Sequence, residues 1–431
     1  GQRALVECVS ANPTGPLTVG HGRQAVLGDT VSSILKWHGY DVKREYYYND
    51  AGRQMRLLGE SVYTRYREIL GEEAELPENG YEGEYIRDIA QEIFSDHNDS
   101  LKDDGENLIF KEKAEETIFA HIRKTLGNVG IEMDSYVNEK TFYDDGSIDS
   151  VVADLREQGL AYDADGAVWF KTTKLGKDQD TVLIKSSGEP TYRLPDIAYH
   201  CQKVKRGFDL IVDIFGTDHQ ATYPDVLAGV EKLGNKIDHI RVLIHQFVTL
   251  KSAGEKVKMS TRKAEYVTLQ ELIESVGVDV VRYFFIMRGM QSHLNFDLEL
   301  ATKESEENPV YYLQYAHARI CNIIKFGKEA GVISDHKLDL SLLVELSELR
   351  LIKEIIRFPE VAQSALEILE PQIIANYLQE VATSFHKFYT ECRVITDDAE
   401  LTTARLALVS ATRVVLANGL TILGISRPER M

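Results

Sequence analysis

The chain of 431 residues is 43% hydrophobic and 27% charged, the balance of an ordinary soluble protein with room for two or three domains. No apolar run approaches the ~18–20 residues that cross a bilayer, and the N-terminus has no basic-then-apolar signal pattern, so no membrane partner is expected. Four scattered cysteines without a C-x-x-C pair speak against a disulfide framework or a zinc site, and point to free thiols in the cytoplasm. The net charge of −19 does not exclude a nucleic-acid partner, because the acidity is concentrated in residues 72–116, with 16 acids against four bases.

In chain order, ALVECV (residues 4–9) reads as a buried strand. So little precedes it, without an initiator methionine, that a further segment upstream is expected. Leu27, Val31, Ile34, Leu35 and His38 fall at helical spacing, Gly39 stops that helix, and VKREYYY (42–48) reads as a second strand. Strand, glycine-rich turn, helix and strand form the opening of a parallel α/β sheet. Residues 60–130 interrupt it with acidic helical patterns such as YIRDIAQEIF (85–94), which read as an insertion. Strands return at AVWFKT (167–172), TVLIKSS (181–187) and DLIVDIFG (209–216). RVLIHQFVTL (241–250) and EKVKMS (255–260) read as a strand pair turning at residues 252–254. From about residue 267 every pattern is helical, with Pro309, Pro359 and Pro371 at or near helix starts. The layout is an α/β domain over residues 1–265, a connecting helical segment over 266–304 and an all-helical domain over 305–431.

Two stretches carry chemistry. In ANPTGPLTVGHGRQA (11–25), Gly20 would let a phosphate approach the backbone, while His21 and Arg23 would place donors on the first turn of a helix whose N-terminus favours anions. Alone, the stretch reads more readily as an ordinary turn with a surface histidine. In KVKMSTR (256–262), Lys256, Lys258 and Arg262 form a cationic loop able to close over a polyphosphate. Alone, such a loop is more often a solvated surface.

Together, in this order and ahead of a helical domain, the two stretches resemble the paired signatures of class I aminoacyl-tRNA synthetases, usually H-I-G-H and K-M-S-K-S. Here they read Thr18-Val19-Gly20-His21 and Lys258-Met259-Ser260-Thr261-Arg262. VECVSANPTGPLTVGHGR, YYYNDAGRQM (46–55), YRLPDIAYH (192–200), NPVYYLQYAHAR (308–319) and LANGLTILGISRPERM (416–431) narrow the likeness to arginyl-tRNA synthetases over nearly the whole chain. The resemblance implies a Rossmann-like parallel-sheet catalytic domain with a helical insertion, followed by an all-α helix-bundle anticodon-binding domain. It implies activation of L-arginine by ATP, with Mg²⁺ accompanying ATP and no zinc, and transfer of arginine to its tRNA by a monomer. His21, Lys258 and Arg262 are implied as catalytic, and Thr18, Gly20, His21, Gly216, Asp218, Lys258 and Met259 as ATP-binding. Glu7, Asn12, Tyr192, Asp196 and Asp218 are implied around arginine, and Tyr312, Tyr315, Arg319 and Met431 on the tRNA. Members of the family usually carry an additional N-terminal domain that touches the tRNA elbow, and generally need tRNA bound before they activate arginine.

The residue types suit that substrate. A guanidinium asks for planar carboxylate partners. Glu7 at the end of the first strand and Asp196 one turn after Tyr192 fit that demand, although each is equally an edge-strand glutamate or an aspartate at a helix start. Asp218 either accepts from a ribose hydroxyl or the α-amino group, or caps a helix. Tyr311, Tyr312, Tyr315, His317 and Arg319 are able to stack unpaired RNA bases. Helical spacing puts Tyr311 and Tyr315 on one face, and Tyr312 and Arg319 on another. For half of them core packing is the stronger reading. Thr18 and Thr261 depart from the signatures, and slower activation is expected from them. A non-catalytic RNA-binding paralogue is the rival to the enzyme, but Glu7, Asn12, Tyr192 and Asp196 all being present speaks against a pocket that has drifted.

Overall fold

The computed structural model describes residues 1–252, 255–256, 267–329 and 338–431. As far as described, they form two compact units: residues 1–28, 40–247 and 267–270, and residues 29–39, 248–256 and 271–431.

In the first unit the chain runs β1 (Arg3–Ser10), α1 (Val19–Trp37, which continues into the second unit), β2 (Asp41–Tyr48), α2 (Gly52–Ile69), α3 (Glu84–His97), α4 (Ile109–Asn128) and β3 (Ser135–Asn138). It continues with α5 (Thr141–Asp144), α6 (Ser147–Glu157), β4 (Ala161–Ala164), β5 (Ala167–Phe170), β6 (Thr181–Ile184), α7 (Arg193–Lys205), β7 (Leu210–Gly216), α8 (Tyr223–Lys232) and β8 (Ile240–His245). Five strands pair in the order β3-β2-β1-β7-β8, all parallel. β1 is central, and its residues from Ala4 to Val9 are all buried, as a strand covered on both faces requires. Gly28 lets α1 lie against β1, since a Cβ there would come within 2.6 Å of the Cys8 Cα. Gly39, at φ +86°, turns the chain out of the helix toward β2. The order reverses between β1 and β7, so the carboxyl ends of these strands frame the crevice in which open α/β sheets bind ligands.

The acidic segment is helical, with α2, α3 and α4 packed on one another between β2 and β3. The strands at AVWFKT and TVLIKSS do not join the parallel sheet. They form a separate antiparallel sheet in the order β4-β5-β6.

In the second unit, β9 (Val248–Ser252) and β10 (Glu255–Lys256) are followed by α9 (Leu269–Val276, which begins in the first unit), α10 (Val278–Ile286), β11 (Leu294–Asp297) and α11 (Leu298–Ala301). Next come α12 (Pro309–Glu329), α13 (Leu346–Ile356), α14 (Phe358–Ile368), α15 (Gln372–Glu391) and α16 (Ala399–Leu423). RVLIHQFVTL is therefore two strands, because β8 ends at His245 in one sheet and β9 starts at Val248 in another. β9 pairs antiparallel with β10, as expected, but also parallel with β11, so the region after residue 267 is not wholly helical. By length and composition α16 is apolar enough to cross a membrane, contrary to the expectation that no such run exists. It packs against α12, α13 and α15, and a core helix flanked on several sides is apolar on most of its faces. Buried Arg282 on α10 donates to Asp29 Oδ2 (2.5 Å) and to the Leu423 carbonyl at the end of α16 (3.2 Å).

Candidate active site

Strand register sets the electrostatics of the crevice. Glu7 on β1 lies directly beside Glu45 on β2 and Asp213 on β7, so three carboxylates stand abreast on neighbouring strands. All three are buried. Over them runs α7, with Tyr192 just before it, Asp196, Tyr199 and Lys203 within it and Arg206 just after, a four-three spacing that keeps one helical face toward the sheet. Lys203 Nζ donates to Glu7 Oε2 and to Asp213 Oδ1 (2.6 Å). Arg206 grips both oxygens of Glu45 at 2.6 Å, and the Tyr199 hydroxyl donates to Glu45 Oε1 (2.8 Å). The His200 ring spans Asp213 Oδ2 (3.0 Å) and the Asp196 carbonyl (2.8 Å). Burial works against the Lys203 charge, but Asp213 and Glu7 outweigh it and hold the ammonium above the ordinary lysine range. Burial likewise opposes the Asp213 carboxylate, and Lys203 and His200 pull it well below the usual range.

Of the three carboxylates in the row, Glu7 reaches open space. It lines a cavity of about 560 Å³ together with Asn12, His21, Tyr192, Asp196 and Asp218. The described residues that the sequence assigned to arginine thus meet in one place, although they come from a strand, three loops or turns and a helix. Glu7 is inside the central strand rather than at its end or on an edge. The Asn12 side chain is braced, donating to Gln54 Oε1 (2.9 Å) and accepting from the Asn49 N–H (3.0 Å). Tyr192 is 70% exposed at the rim. Burial first, then the Glu7 and Glu139 carboxylates, push Asp196 up to about 7 against the pull of His200 and Lys203. Glu139 is itself raised by burial while accepting from Tyr47 (2.9 Å) and Asn49 (2.6 Å). Glu139, Tyr47, Asn49, Tyr199 and His200 also line the cavity, and Lys203 and Asp213 stand behind it. None of these is among the site residues expected from the sequence. The seven-residue repeat of Tyr192, Tyr199 and Arg206, with Asp196 and Lys203 between, was the signal available.

On the nucleotide side, Thr18 caps α1. Its Oγ1 accepts from the His21 N–H (3.3 Å), and its own N–H donates to His21 Nδ1 (3.3 Å). That contact leaves the ring proton on Nε2. Burial takes His21 down to about 4, with Asp218 pulling the other way, so at neutral pH it offers a neutral N–H rather than a cation. A Cβ on Gly20 would meet only Thr18 Oγ1, at 3.6 Å, so the packing of the protein itself does not demand glycine there. Arg23 is not the exposed first-turn donor expected: it is fully buried and donates to the Gln246 carbonyl (2.7 Å). Gly216 ends β7, and Asp218 follows on an exposed turn. Thr222 holds the N-cap position of α8, so Asp218 does not cap that helix. Lys258, Met259, Thr261 and Arg262 lie outside the described residues.

In the second unit, Tyr315, Arg319 and Met431 line a groove of about 700 Å³ with Tyr389 and Arg393. The Arg319 guanidinium lies over the Tyr315 ring (4.5 Å) and the Tyr389 ring (4.9 Å), so Tyr315 and Arg319 share a face. Tyr312 packs on His386 (4.7 Å), which Tyr315 also touches (6.0 Å). His317 is buried and donates to the Pro428 carbonyl (2.9 Å), a packing role.

Residues 1–281 match the family model described as tRNA synthetases class I (R), catalytic domain, and residues 313–431 match the DALR anticodon binding domain. The arginine–tRNA ligase of Salinibacter ruber is 53% identical over the whole chain and 80% of its own length; that of Desulfotalea psychrophila is 53% identical over the whole chain and 78% of its own. The chain belongs to the arginine–tRNA ligase family. A solved structure described as a putative arginyl-tRNA synthetase of Campylobacter jejuni agrees, with a TM-score of 0.90 at 33% identity, covering the whole of this chain and 94% of that one. Members of the family are ATP-dependent aminoacyl-tRNA ligases whose substrates are arginine, ATP and tRNA, and nothing in these matches favours a non-catalytic paralogue.

Proposed function

We propose that the cavity below Tyr192 is where this ligase binds and activates arginine. The observation that carries the assignment is the convergence of Glu7, Asn12, Tyr192 and Asp196 on one cavity that His21 and Asp218 also line. The guanidinium would lie between Asp196 and Glu7, where planar carboxylates accept its forked N–H groups. Lysine would be refused because one compact ammonium cannot satisfy both acceptors. Asn12 and Asp218 would orient the α-carboxylate and α-amino ends.

ATP would enter along the N-terminus of α1, with Gly20 and Gly216 giving the nucleotide access to the backbone, and Mg²⁺ would arrive on the phosphates as part of that substrate. The arginine carboxylate oxygen attacks the α-phosphorus as the bond to pyrophosphate breaks, giving arginyl-adenylate. A hydroxyl of the terminal tRNA adenosine then attacks the arginyl carbonyl, and AMP departs. Positioning and charge stabilisation supply the acceleration. In the first step the neutral His21 Nε2–H, held by Thr18, would donate to a phosphoryl oxygen, while Lys258, Met259 and Arg262 would cover the departing pyrophosphate. The groove at Tyr315, Arg319 and Met431 would take a tRNA base, with Tyr312 bracing it through His386. We assign catalysis to residues 1–265 and tRNA reading to 305–431, joined by 266–304. We keep a monomer in the reducing cytoplasm as the setting of this reaction, in which no disulfide is needed and none joins the cysteines of the described residues.

Charging of arginine tRNA by Asp196→Asn tests the site. An arginine KM raised at least tenfold with little change in tRNA KM is expected; an unchanged arginine KM would place arginine elsewhere.

A further inference from the structure

The carboxylate row poses a question that arginine binding does not answer. Glu45 and Asp213 stand outside the lining of this cavity, yet each is fully buried and multiply bonded. Glu45 is closed off by Arg206, Tyr199 and Ser135, which donates to Oε2 at 2.7 Å. The two oxygens of Asp213 are taken by Lys203 and His200. Glu7 alone of the row lines the cavity, and each of its oxygens already receives one donor: Oε1 from the Ser10 hydroxyl and Oε2 from Lys203. An ionised carboxylate has about four lone-pair sites, so both oxygens can still accept from a substrate, but only in the plane that these donors leave.

Lys203 is therefore unusually placed. It is fully buried, lies outside the cavity lining, and is clamped between Glu7 and Asp213 with its ammonium 4.1 Å from the centre of the Tyr199 ring. An ammonium on a flexible stem normally samples many positions. Here Asp213, itself fixed by His200, holds the ammonium from behind. His200 is in turn tied to the Asp196 carbonyl, so the chain Glu7–Lys203–Asp213–His200 closes back on the second guanidinium partner. We propose that Lys203 is a positioning residue of the arginine pocket: anchored by Asp213, it fixes the plane of the Glu7 carboxylate opposite Asp196 and so sets the affinity for the substrate guanidinium without touching it.

The inference rests on Glu7 and Asp196 being the guanidinium partners. Lys203→Met alone leaves Glu7 and Asp213 side by side without their cation and is able to unfold the chain, so the informative variant is Lys203→Met with Asp213→Asn, which removes one charge of each sign. Thermal unfolding checks that it is folded, and steady-state tRNA charging then gives the constants. Arginine KM is expected to rise about tenfold, the worth of one charge-assisted hydrogen bond set out of line, with ATP KM and tRNA KM within about twofold of the parent. Glu45→Gln with Arg206→Met perturbs the same row away from the cavity and serves as the structural control: it is expected to lower the melting temperature while leaving arginine KM alone. If Lys203→Met/Asp213→Asn leaves arginine KM within twofold while Asp196→Asn raises it, the positioning role is wrong and the pocket stands. If Asp196→Asn is also silent, the pocket itself is wrong. If the control raises arginine KM as much as the Lys203 variant, the effect is general loosening and the proposal is overturned. Should the double variant melt below assay temperature, Asp213→Asn alone decides, with a rise of about threefold expected and none refuting.

Discussion

Moving the charging assay from pH 8 to pH 6 is expected to raise arginine KM about tenfold, through Asp196. Its carboxyl sits at about 7 because burial and the neighbouring Glu7 and Glu139 disfavour its charge more than His200 and Lys203 support it. The groups facing it come from several elements: Glu7 on β1, Tyr47 on β2, Glu139 after β3, Tyr143 on α5, and His200 and Lys203 on its own helix. Tyr47 and Tyr143 are both pushed upward by burial and carboxylate neighbours, so they stay neutral throughout this range. The substrate guanidinium stays charged. Arginine therefore competes with a single proton for the ionised carboxylate, and apparent KM scales as one plus the ratio of proton concentration to the acid constant. With a pKa of about 7 that factor is about eleven at pH 6 and about 1.1 at pH 8. The sign follows from the direction of the shift: a raised carboxyl pKa means the binding form is lost as pH falls. kcat at saturating arginine should not carry the factor, because bound guanidinium holds the carboxylate ionised. Asp196→Asn should give a KM that is flat over this range and high throughout, by about tenfold to a hundredfold for one charged hydrogen-bond partner removed. An arginine KM constant within twofold from pH 6 to 8 in the parent enzyme would show that Asp196 is either already ionised or not the partner.

Thr18→Ala should lower the melting temperature by an amount corresponding to about 1 kcal/mol for a lost helix cap, and should lower kcat by freeing His21, while Thr18→Ser retains both; equal kcat in the two variants would sever Thr18 from His21. Thr18→His, which restores the usual signature residue, sacrifices that cap, so its melting temperature should fall even if kcat is kept. Gly28→Ala and Gly20→Ala should separate packing from binding. The first drives a Cβ to within 2.6 Å of the β1 backbone and should destabilise, whereas the second finds only ordinary contact and should raise ATP KM at unchanged melting temperature. Arg282→Met takes the guanidinium from the buried Asp29 carboxylate and should cost about 3–5 kcal/mol in chemical denaturation, while Arg282→Met with Asp29→Asn should recover part of that loss.

What could be read from the sequence follows the range of the interactions involved. β1 and β7 are apolar runs flanked by turn residues, and α1 shows helical spacing ended by a glycine, so each is visible within its own window. RVLIHQFVTL misled because both halves are strand and nothing in hydrophobicity marks a change of sheet at Gln246–Phe247. β11 is four residues long, too short to interrupt the helical periodicity around it. Arg23 was misplaced by proximity to His21: two residues rotate a helix by about 200°, so adjacent motif residues face opposite sides. Glu7, Asn12, Tyr192 and Asp196 were accessible through quoted blocks that resemble a family. Lys203 and Asp213 lie outside those blocks and His200 closes one of them, but their meaning depends on the register of strands remote from one another in sequence.

That register explains why a pocket for a cation is backed by buried cations of its own. Neighbouring parallel strands stand about 4.8 Å apart, and at an effective dielectric of about 20 two carboxylates at that distance repel by about 3.5 kcal/mol. A row of Glu45, Glu7 and Asp213 contains two such contacts, enough to threaten a fold of ordinary stability, and it exists before any arginine arrives. The chain meets this in two ways. Deep in the sheet the counter-charge is permanent, from Lys203 and Arg206, and substrate never displaces it. At the cavity wall, Asp196, raised to about 7, can instead hold a proton when the pocket is empty. A proton can leave when a guanidinium enters, whereas a lysine side chain buried beneath a helix cannot. Fixed cations therefore orient the acceptor, and an exchangeable proton keeps the empty pocket stable, which is why the pH dependence of arginine binding belongs to Asp196 while its geometry belongs to Lys203.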